Sequence, residues 1–294
     1  MNRHSIGILI AQKLNHNLEH YRNRFLESSK IQYCYIDDLL PSELAQEVFN
    51  SFPSQETMLL RKNLREFKYM TAQMNFLNPL LEEVVYAFQE PAVVEVLANI
   101  SGIETLIPDP SLYAGGVSLM PKGGFMNPHV DASHDRSRQY FRVLNLLYYV
   151  TPNWEPEFGG NLELWPDGLE NDPIVIHNRF NRLVLMGTTR QSLHAVSQIE
   201  VERERCCVVN YFFSHALPHK KRYSPPYYST SFRGRVGQPF RDLILRADGQ
   251  IRSKLRTVLE PLFKKGILYN PHFYNRSLTV STSKKHKHGR KLRF

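Results

Sequence analysis

The pattern of apolar and polar positions along the chain changes character near Pro108. Before it, apolar residues recur at spacings of three and four, the period of a helix that buries one face. Ile8, Leu9 and Ala11, then Leu14, Leu18, Tyr21 and Phe25, predict helix over parts of residues 1–31. Ile31 to Ile36 reads as a short strand. The run Asp37-Asp38-Leu39-Leu40-Pro41-Ser42-Glu43 reads as a helix start, with proline near the first turn, and that helix should reach about Phe52. From Pro79 to about Ile100 a long helical pattern presents Leu80, Leu81, Val84, Val85 and Phe88, then Val93, Val94, Val96 and Leu97. Pro91 should break it in two, because proline removes an amide donor and clashes with the preceding turn. Ser101-Gly102 should end it, glycine being the residue that best adopts a left-handed helix stop.

After Pro108 the runs become short, apolar or alternating, and glycine, proline and asparagine clusters divide them. They cover roughly 112–120, 126–131, 139–151, 161–166, 173–177, 182–187, 194–200 and 204–214. Eight strands at this spacing predict a mainly β fold with flanking helices, a double-sheet jelly roll. After Ser214 the pattern loosens. Pro218 to Pro226 is rich in proline, tyrosine and base, and Pro239 to Leu262 predicts one or two amphipathic helices carrying Leu243, Leu245, Ile251, Leu255, Val258, Leu259 and Leu262. The expected organisation is an N-terminal helical segment (1–32), a jelly-roll domain with its support helices (33–215), a helical extension (216–282) and a basic tail (283–294).

Composition narrows the setting. At 294 residues the chain can bury a sizeable core. No apolar run approaches the roughly 20 residues of a membrane span, and Gly7-Ile8-Leu9-Ile10-Ala11 is too short for a signal-peptide core. Three cysteines, Cys34, Cys206 and Cys207, make no disulfide framework, so the expected compartment is reducing and cytoplasmic. The net charge is +9, but Lys284, Lys285, Lys287, Arg290, Lys291 and Arg293 hold six of those charges. The body carries only +3, so the charge marks a solvated tail rather than a nucleic-acid surface.

The candidate chemistry begins at Met120-Pro-Lys-Gly-Gly-Phe-Met-Asn-Pro-His129-Val-Asp131. On a strand, side chains at i and i+2 share a face, so His129 and Asp131 can reach one point. Imidazole and carboxylate suit a first-row divalent metal, and with a second histidine they form a facial triad that leaves coordination positions open. With 12 histidines in the chain, His-x-Asp alone is weak. The downstream candidates are His134, His177, His194, His215 and His219, of which His194 is best placed to come from an opposing strand. Eleven residues on, Arg205 heads the apolar run Cys206-Cys-Val-Val-Asn-Tyr-Phe-Phe213. A guanidinium entering such a strand needs a partner. Either a buried carboxylate ligand grips it in two-pronged fashion, or it is a rim arginine paired with Glu202 or Glu204.

Taken together, His129-x-Asp131, His194 and Arg205 resemble the Fe(II)- and 2-oxoglutarate-dependent dioxygenases, most closely their prolyl 4-hydroxylase-like branch. Arg142-Val-Leu-Asn-Leu-Leu-Tyr-Tyr149, Phe158-Gly-Gly-Asn-Leu-Glu-Leu-Trp165 and Asn181-Arg-Leu-Val-Leu185 resemble further family segments, in the right order over about residues 33–215. The resemblance implies a double-stranded β-helix core and an oxidoreductase using Fe(II), 2-oxoglutarate and O₂, with ascorbate as reductant. His129, Asp131 and His194 would hold the metal. Arg205, or Arg203 of the same parity, would anchor the far carboxylate of 2-oxoglutarate with help from Tyr149. It also implies hydroxylation rather than halogenation, since Asp131 fills the place a halide would take.

Two positions depart from the branch. Met120 stands where a tyrosine is common, and Tyr149-Val150-Thr151 stands for Tyr-Leu-Asn. The rival readings are a cupin-like metal-binding protein or isomerase that does not use 2-oxoglutarate, in which Arg205 has no role, and a nucleic-acid demethylase of the same superfamily. A peptidyl residue, an amino acid or another small molecule is the expected substrate. Trp154 and Trp165 are expected to pack near the barrel mouth, and Tyr223, Tyr227 and Tyr228 are candidates for a lid over it. Oligomeric state is left open.

Overall fold

The structure is a computed structural model and describes residues 1–215, 227–264 and Tyr274. The helices are α1 (Arg3–His16), α2 (Leu18–Glu27), α3 (Ser42–Asn50), α4 (Pro79–Ala87), α5 (Pro91–Ser101) and α6 (Pro239–Lys264). The strands are β1 (Tyr33–Ile36), β2 (Leu59–Lys62), β3 (Glu66–Thr71), β4 (Ile107–Pro108), β5 (Gly116–Met120), β6 (Phe125–Val130) and β7 (Phe141–Tyr149). They continue as β8 (Leu162–Leu164), β9 (Ile174–Ile176), β10 (Arg182–Gly187), β11 (His194–Val196), β12 (Arg205–Ser214) and β13 (Ser231–Phe232).

Hydrogen bonding runs in the order β1-β10-β7-β12-β5-β3-β6-β11-β8-β9. All these pairs are antiparallel. Two four-stranded layers stand out: β10-β7-β12-β5 and β6-β11-β8-β9. Along the chain the strands alternate between layers except at β8 and β9, which follow one another in the second layer, and this is the winding of a jelly roll. β3 bridges the layers by pairing with both β5 and β6. The expected mainly β, double-stranded β-helix core with flanking helices is thus the observed one.

The first layer is buried on both faces, which is why β7, β10 and β12 read as near-continuous apolar runs. On β7, Leu144, Leu146 and Tyr148 join the core formed with the helices, while Tyr149 faces the second layer with Leu162, Leu164, Ile176 and Cys207. α1 packs on α4 and α5, and α2 on α5. Ile10, Leu14, Phe25, Val84, Phe88, Leu97 and Ile100 are buried there. Each such side chain contributes about 1.5–3 kcal/mol by leaving water.

The predicted helix breaks hold. Pro91 is the first residue of α5, and Gly102 caps it in the left-handed conformation, φ +70°. Asn78 caps α4 by accepting from the Leu80 amide at 2.9 Å. Asn181 ties strand to loop at φ +60°. Its side-chain oxygen accepts from the Tyr148 hydroxyl and the Leu40 amide, and its amide group donates to the Leu40 carbonyl.

Three expectations are corrected. In α1 the inward residues are Ile6, Gly7, Ile10, Ala11 and Leu14, whereas Ile8 is exposed, because the helix starts at Arg3 and its register is set by packing on α4 and α5. The β2–β3 hairpin was not predicted. Its pattern is masked because β3 turns a glutamate and a lysine inward with Met70. The 239–262 region is one helix, α6, but Leu243, Ile251, Leu255 and Val258 are exposed, and among the described residues of its expected apolar face only Leu245 is fully buried. α6 docks through polar groups instead. Arg65 pairs with Asp248 at 3.1 Å, Arg252 donates to the Thr230 carbonyl at 2.9 Å, and Ser253 meets Ser229 at 2.8 Å. Pro218–Pro226, Tyr223, His219 and the tail lie outside the described residues. No described helix is long and apolar enough to cross a membrane.

Candidate metal and cosubstrate site

Adjacent strands of the second layer bring the two histidines together. β6 and β11 pair so that His129 lies directly opposite His194, and their rings are 4.1 Å apart. Asp131 follows two residues after His129 on the same face. His129 Nε2 is 3.8 Å from Asp131 Oδ1, and His194 Nε2 is 3.8 Å from Asp131 Oδ2. One ligand atom from each of the three residues lies within 4.8 Å of the others, and all three residues are buried.

The ring orientations are fixed from behind. His129 Nδ1 is 2.9 Å from the Asn127 carbonyl, and His194 Nδ1 is 2.8 Å from the Ser192 carbonyl. A carbonyl only accepts, so Nδ1 carries the proton and Nε2 presents its lone pair to the centre. Burial, reinforced by the neighbouring His194, pushes the His129 pKa down to about 3, so this imidazole stays neutral. Burial alone would raise the Asp131 pKa, but His194, Arg142 and His129 outweigh it and keep the carboxylate ionised. Asp131 Oδ2 is buried and has no hydrogen-bond partner. A buried carboxylate oxygen is not left so without a cation. Two imidazoles and one carboxylate are the donor set a first-row divalent ion takes, so the residues fit the metal. Phe232 of β13 stacks on the His129 ring at 4.8 Å and closes that side.

The other candidate histidines are elsewhere. His134 is buried beside Phe141 with Nδ1 2.7 Å from the Ser133 hydroxyl, His177 is exposed, and His215 is exposed against the Tyr140 ring.

Arg205 opens β12 opposite Met120 of β5 and is 3% exposed. Its guanidinium carbon sits 4.7 Å over the Tyr149 ring. Among the described residues Nε has no partner, and Nη1 meets the Met120 thioether at 3.9 Å. Neither acid of the rim reading reaches it, since Glu202 pairs with Lys122 at 2.8 Å and Glu204 accepts from Gln55. The Tyr149 hydroxyl is also buried without a partner, and burial pushes its pKa up to about 12, which leaves it a donor. Arg203 is spoken for: it donates to the carbonyls of Asn153 and Pro152. His129, His194, Arg205 and Met120 line one cavity.

Of the departures from the family pattern, Met120 lines this cavity. Thr151 serves the backbone instead, accepting from the Cys206 amide at 2.7 Å and donating to the Glu204 carbonyl. Trp154 is buried with its indole N–H on the Gly159 carbonyl at 2.9 Å, a packing role as expected. Of the tyrosines expected in a lid, Tyr228 is hydrogen-bonded to Ser133 and stacked under Arg190, and Tyr227 lies under Arg138.

Gly160 is what lets Arg205 in. It sits at φ +69°, and a Cβ there would come 2.7 Å from the Arg205 Cδ. Gly160→Ala should therefore displace the guanidinium and weaken binding of any anion it holds by about 10-fold or more, with metal affinity unchanged. Calorimetric titration of the metal-loaded variant with 2-oxoglutarate checks this, and unaltered affinity would show that Arg205 tolerates the shift.

Sequence reasoning missed four residues around the cavity. Arg142 heads β7, 3% exposed, with its guanidinium 3.8 Å over Tyr211 and Nη1 3.9 Å from Asp131 Oδ2. Its Nε and Nη2 have no partner. Asn145 turns a partnerless Oδ1 toward the same space. A polar residue on the inward parity of an apolar strand was the available signal for Asn145. Lys68 and Glu66, on the hairpin the pattern did not predict, had none. Glu66 is 3% exposed and pairs with Arg61 at 3.1 Å and Lys68 at 3.2 Å. Burial would raise its pKa, but Lys68 and Arg61 outweigh it and hold it at about 2.

A depressed carboxylate contributes stability that is present above its unfolded value and lost as pH falls through the folded one. The contribution of Glu66 should thus be complete above about pH 4.5 and fade toward about pH 2. Unfolding midpoints of the wild type and Glu66→Gln should converge as pH is lowered from 6 to 3. A gap independent of pH would contradict this.

Residues 115–213 match the family model of the 2OG-Fe(II) oxygenase superfamily. A search of curated sequences returns no match. Among solved structures, the chain is similar to a prolyl hydroxylase from Trichoplax adhaerens in complex with a hypoxia inducible factor peptide fragment, at 19% identity and TM-score 0.47, covering 72% of this chain and 90% of that one. It is similar to a prolyl-4-hydroxylase from Pseudomonas putida at 16% identity and TM-score 0.47, covering 68% and 100%. It is also similar to HygX from Streptomyces hygroscopicus, crystallised with nickel, 2-oxoglutarate and hygromycin B, at 12% identity and TM-score 0.45, covering 64% and 84%. The matched span, about a third of the chain, contains His129, Asp131, His194 and Arg205, so the part of the chain that carries the site is similar to the 2OG-Fe(II) oxygenase superfamily, which supports an enzyme of the 2-oxoglutarate-dependent dioxygenase type.

Proposed function

We propose that the chain hydroxylates an unactivated C–H bond of a peptidyl residue, an amino acid or another small molecule, with Fe(II), 2-oxoglutarate and O₂. The observation that carries this is a buried His-Asp-His set whose two histidines share one cavity with a buried arginine that has no acidic partner among the described residues. His129, Asp131 and His194 would hold the metal through two Nε2 atoms and one carboxylate. Arg205 would take the far carboxylate of 2-oxoglutarate, and the protonated Tyr149 hydroxyl would donate to it. Bound in this site, Fe(II) supplies oxidising power from O₂ at the expense of 2-oxoglutarate, which leaves as succinate and CO₂, and ascorbate keeps the metal reduced.

The protein's own part is orientation and exclusion of water. Nδ1 bonds to Asn127 and Ser192 hold both imidazoles in one tautomer. Phe232 and the apolar inner faces keep water from the ligands. Arg142, with two unpartnered N–H donors beside Asp131, would receive a carbonyl or carboxylate of the substrate. The three cysteines are buried free thiols, which suits a cytoplasmic setting.

The test supplies Fe(II), ascorbate and 2-oxoglutarate with a panel of proline-containing peptides, free amino acids and small metabolites. The expected outcome is a product one oxygen atom heavier, with one succinate formed per product. Product formed without 2-oxoglutarate consumption would sink the proposal.

A further inference from the structure

Lys68 enters the cavity from β3, outside the span the family model matches. The strand ladder fixes its place. Tyr69 lies opposite Leu119, so the next position along the same antiparallel pair sets Lys68 beside Met120, and Met120 lies opposite Arg205. Lys68, Met120 and Arg205 thus form one row across three strands, and all three line the cavity. With strands about 4.8 Å apart, the two cationic residues are roughly 10 Å apart at their Cα atoms. The residue between them carries a thioether and can donate nothing.

The lysine is held in place from one side only. Its Nζ is 3.2 Å from Glu66 Oε2, and Glu66 is in turn fixed by Arg61 at 3.1 Å. Its other neighbour within reach is the Met126 sulfur at 3.3 Å, a weak acceptor. An ammonium has three N–H donors, so this one has donor capacity beyond those partners. It lines the same cavity as His129 and His194.

We propose that Lys68 is a second cationic contact for the cosubstrate, donating to the carboxylate of its 2-oxo acid end while Arg205 takes the far carboxylate. This rests on the reading of the cavity as a 2-oxoglutarate site. The lengths agree. Four C–C bonds of about 1.5 Å separate the carboxyl carbons of a five-carbon dicarboxylate by roughly 5 Å, which fits between two side chains reaching inward from 10 Å apart. The ends are assigned by neighbours: Lys68 reaches Met126 of β6, the strand that carries His129, whereas Arg205 lies over the Tyr149 ring.

The test is calorimetric binding to Mn(II)-loaded protein, with no turnover involved. The ligands are 2-oxoglutarate and 2-oxobutyrate, which keeps the 2-oxo acid end and lacks the far carboxylate. Lys68→Met should weaken both ligands by a similar factor, about 10-fold or more, as loss of one charge-assisted hydrogen bond gives. Arg205→Met should weaken 2-oxoglutarate and leave 2-oxobutyrate as it was. Glu66→Gln combined with Lys68→Met avoids stranding a buried carboxylate and should repeat the Lys68→Met result in a protein that unfolds cooperatively and binds Mn(II) normally. Wild-type affinities in that double variant would reduce Lys68 to a partner of Glu66 and overturn the proposal. Weakening of 2-oxoglutarate alone would move Lys68 to the far carboxylate and overturn it as well. Failure of the wild type to bind 2-oxoglutarate would instead strike the functional reading beneath it.

Discussion

His194→Ala should abolish turnover and lower Fe(II) affinity by more than about 100-fold, since loss of an outer-shell partner alone costs 10- to 100-fold. The three ligands act as one set: Asp131 lies 3.8 Å from each imidazole Nε2, and no fourth metal-binding side chain is among the described candidates. Alanine at 194 also removes the ring that faces His129 at 4.1 Å, so the remaining pair cannot enclose a cation on two sides. The Ser192 carbonyl, which holds the ring now, loses its donor. Metal titration and turnover measured on the folded variant check this. Undiminished turnover would end the assignment of His194 as a ligand.

Arg205→Ala should leave metal affinity intact and weaken 2-oxoglutarate binding by about 2–5 kcal/mol, roughly 30- to several-thousand-fold, the cost of stranding one partner of a buried charge pair. The expectation is large because the site offers few substitutes. Arg203 is committed to two backbone carbonyls, and Tyr149 can donate one hydrogen bond but no charge. A 2-oxoglutarate affinity equal to wild type would remove Arg205 from the site and favour a metal protein of the same barrel class that does not use this cosubstrate.

Much of this was legible in the sequence, for physical reasons that differ by element. The eight barrel strands were readable because each is a short, largely apolar or alternating run bounded by turn residues, and Phe141–Tyr149 and Arg205–Ser214 read as near-continuous apolar runs because both their faces are buried. The meeting of His129 and His194 followed from their positions on strands expected to oppose each other. The β2–β3 hairpin was not readable, because β3 carries Glu66 and Lys68 on the inward parity and so imitates a solvated loop. Their burial is understandable only as a charge cluster with Arg61, a tertiary fact. Likewise α6 has an apolar stripe in sequence, yet it docks through Asp248, Arg252 and Ser253, and no periodicity could have told that from ordinary packing. Arg142 was visible as a residue but not as a site residue, because its lack of hydrogen-bond partners for Nε and Nη2 appears only in three dimensions.

The central claim is that this cavity joins a metal to 2-oxoglutarate and O₂. The most direct measurement supplies the Fe(II)-loaded protein with 2-oxoglutarate under isotopically heavy O₂ and analyses the succinate by mass spectrometry. The account predicts succinate carrying one heavy oxygen atom per molecule, and its loss in His194→Ala and Arg205→Ala. Succinate without the label, or none formed above that in the two variants, would contradict it.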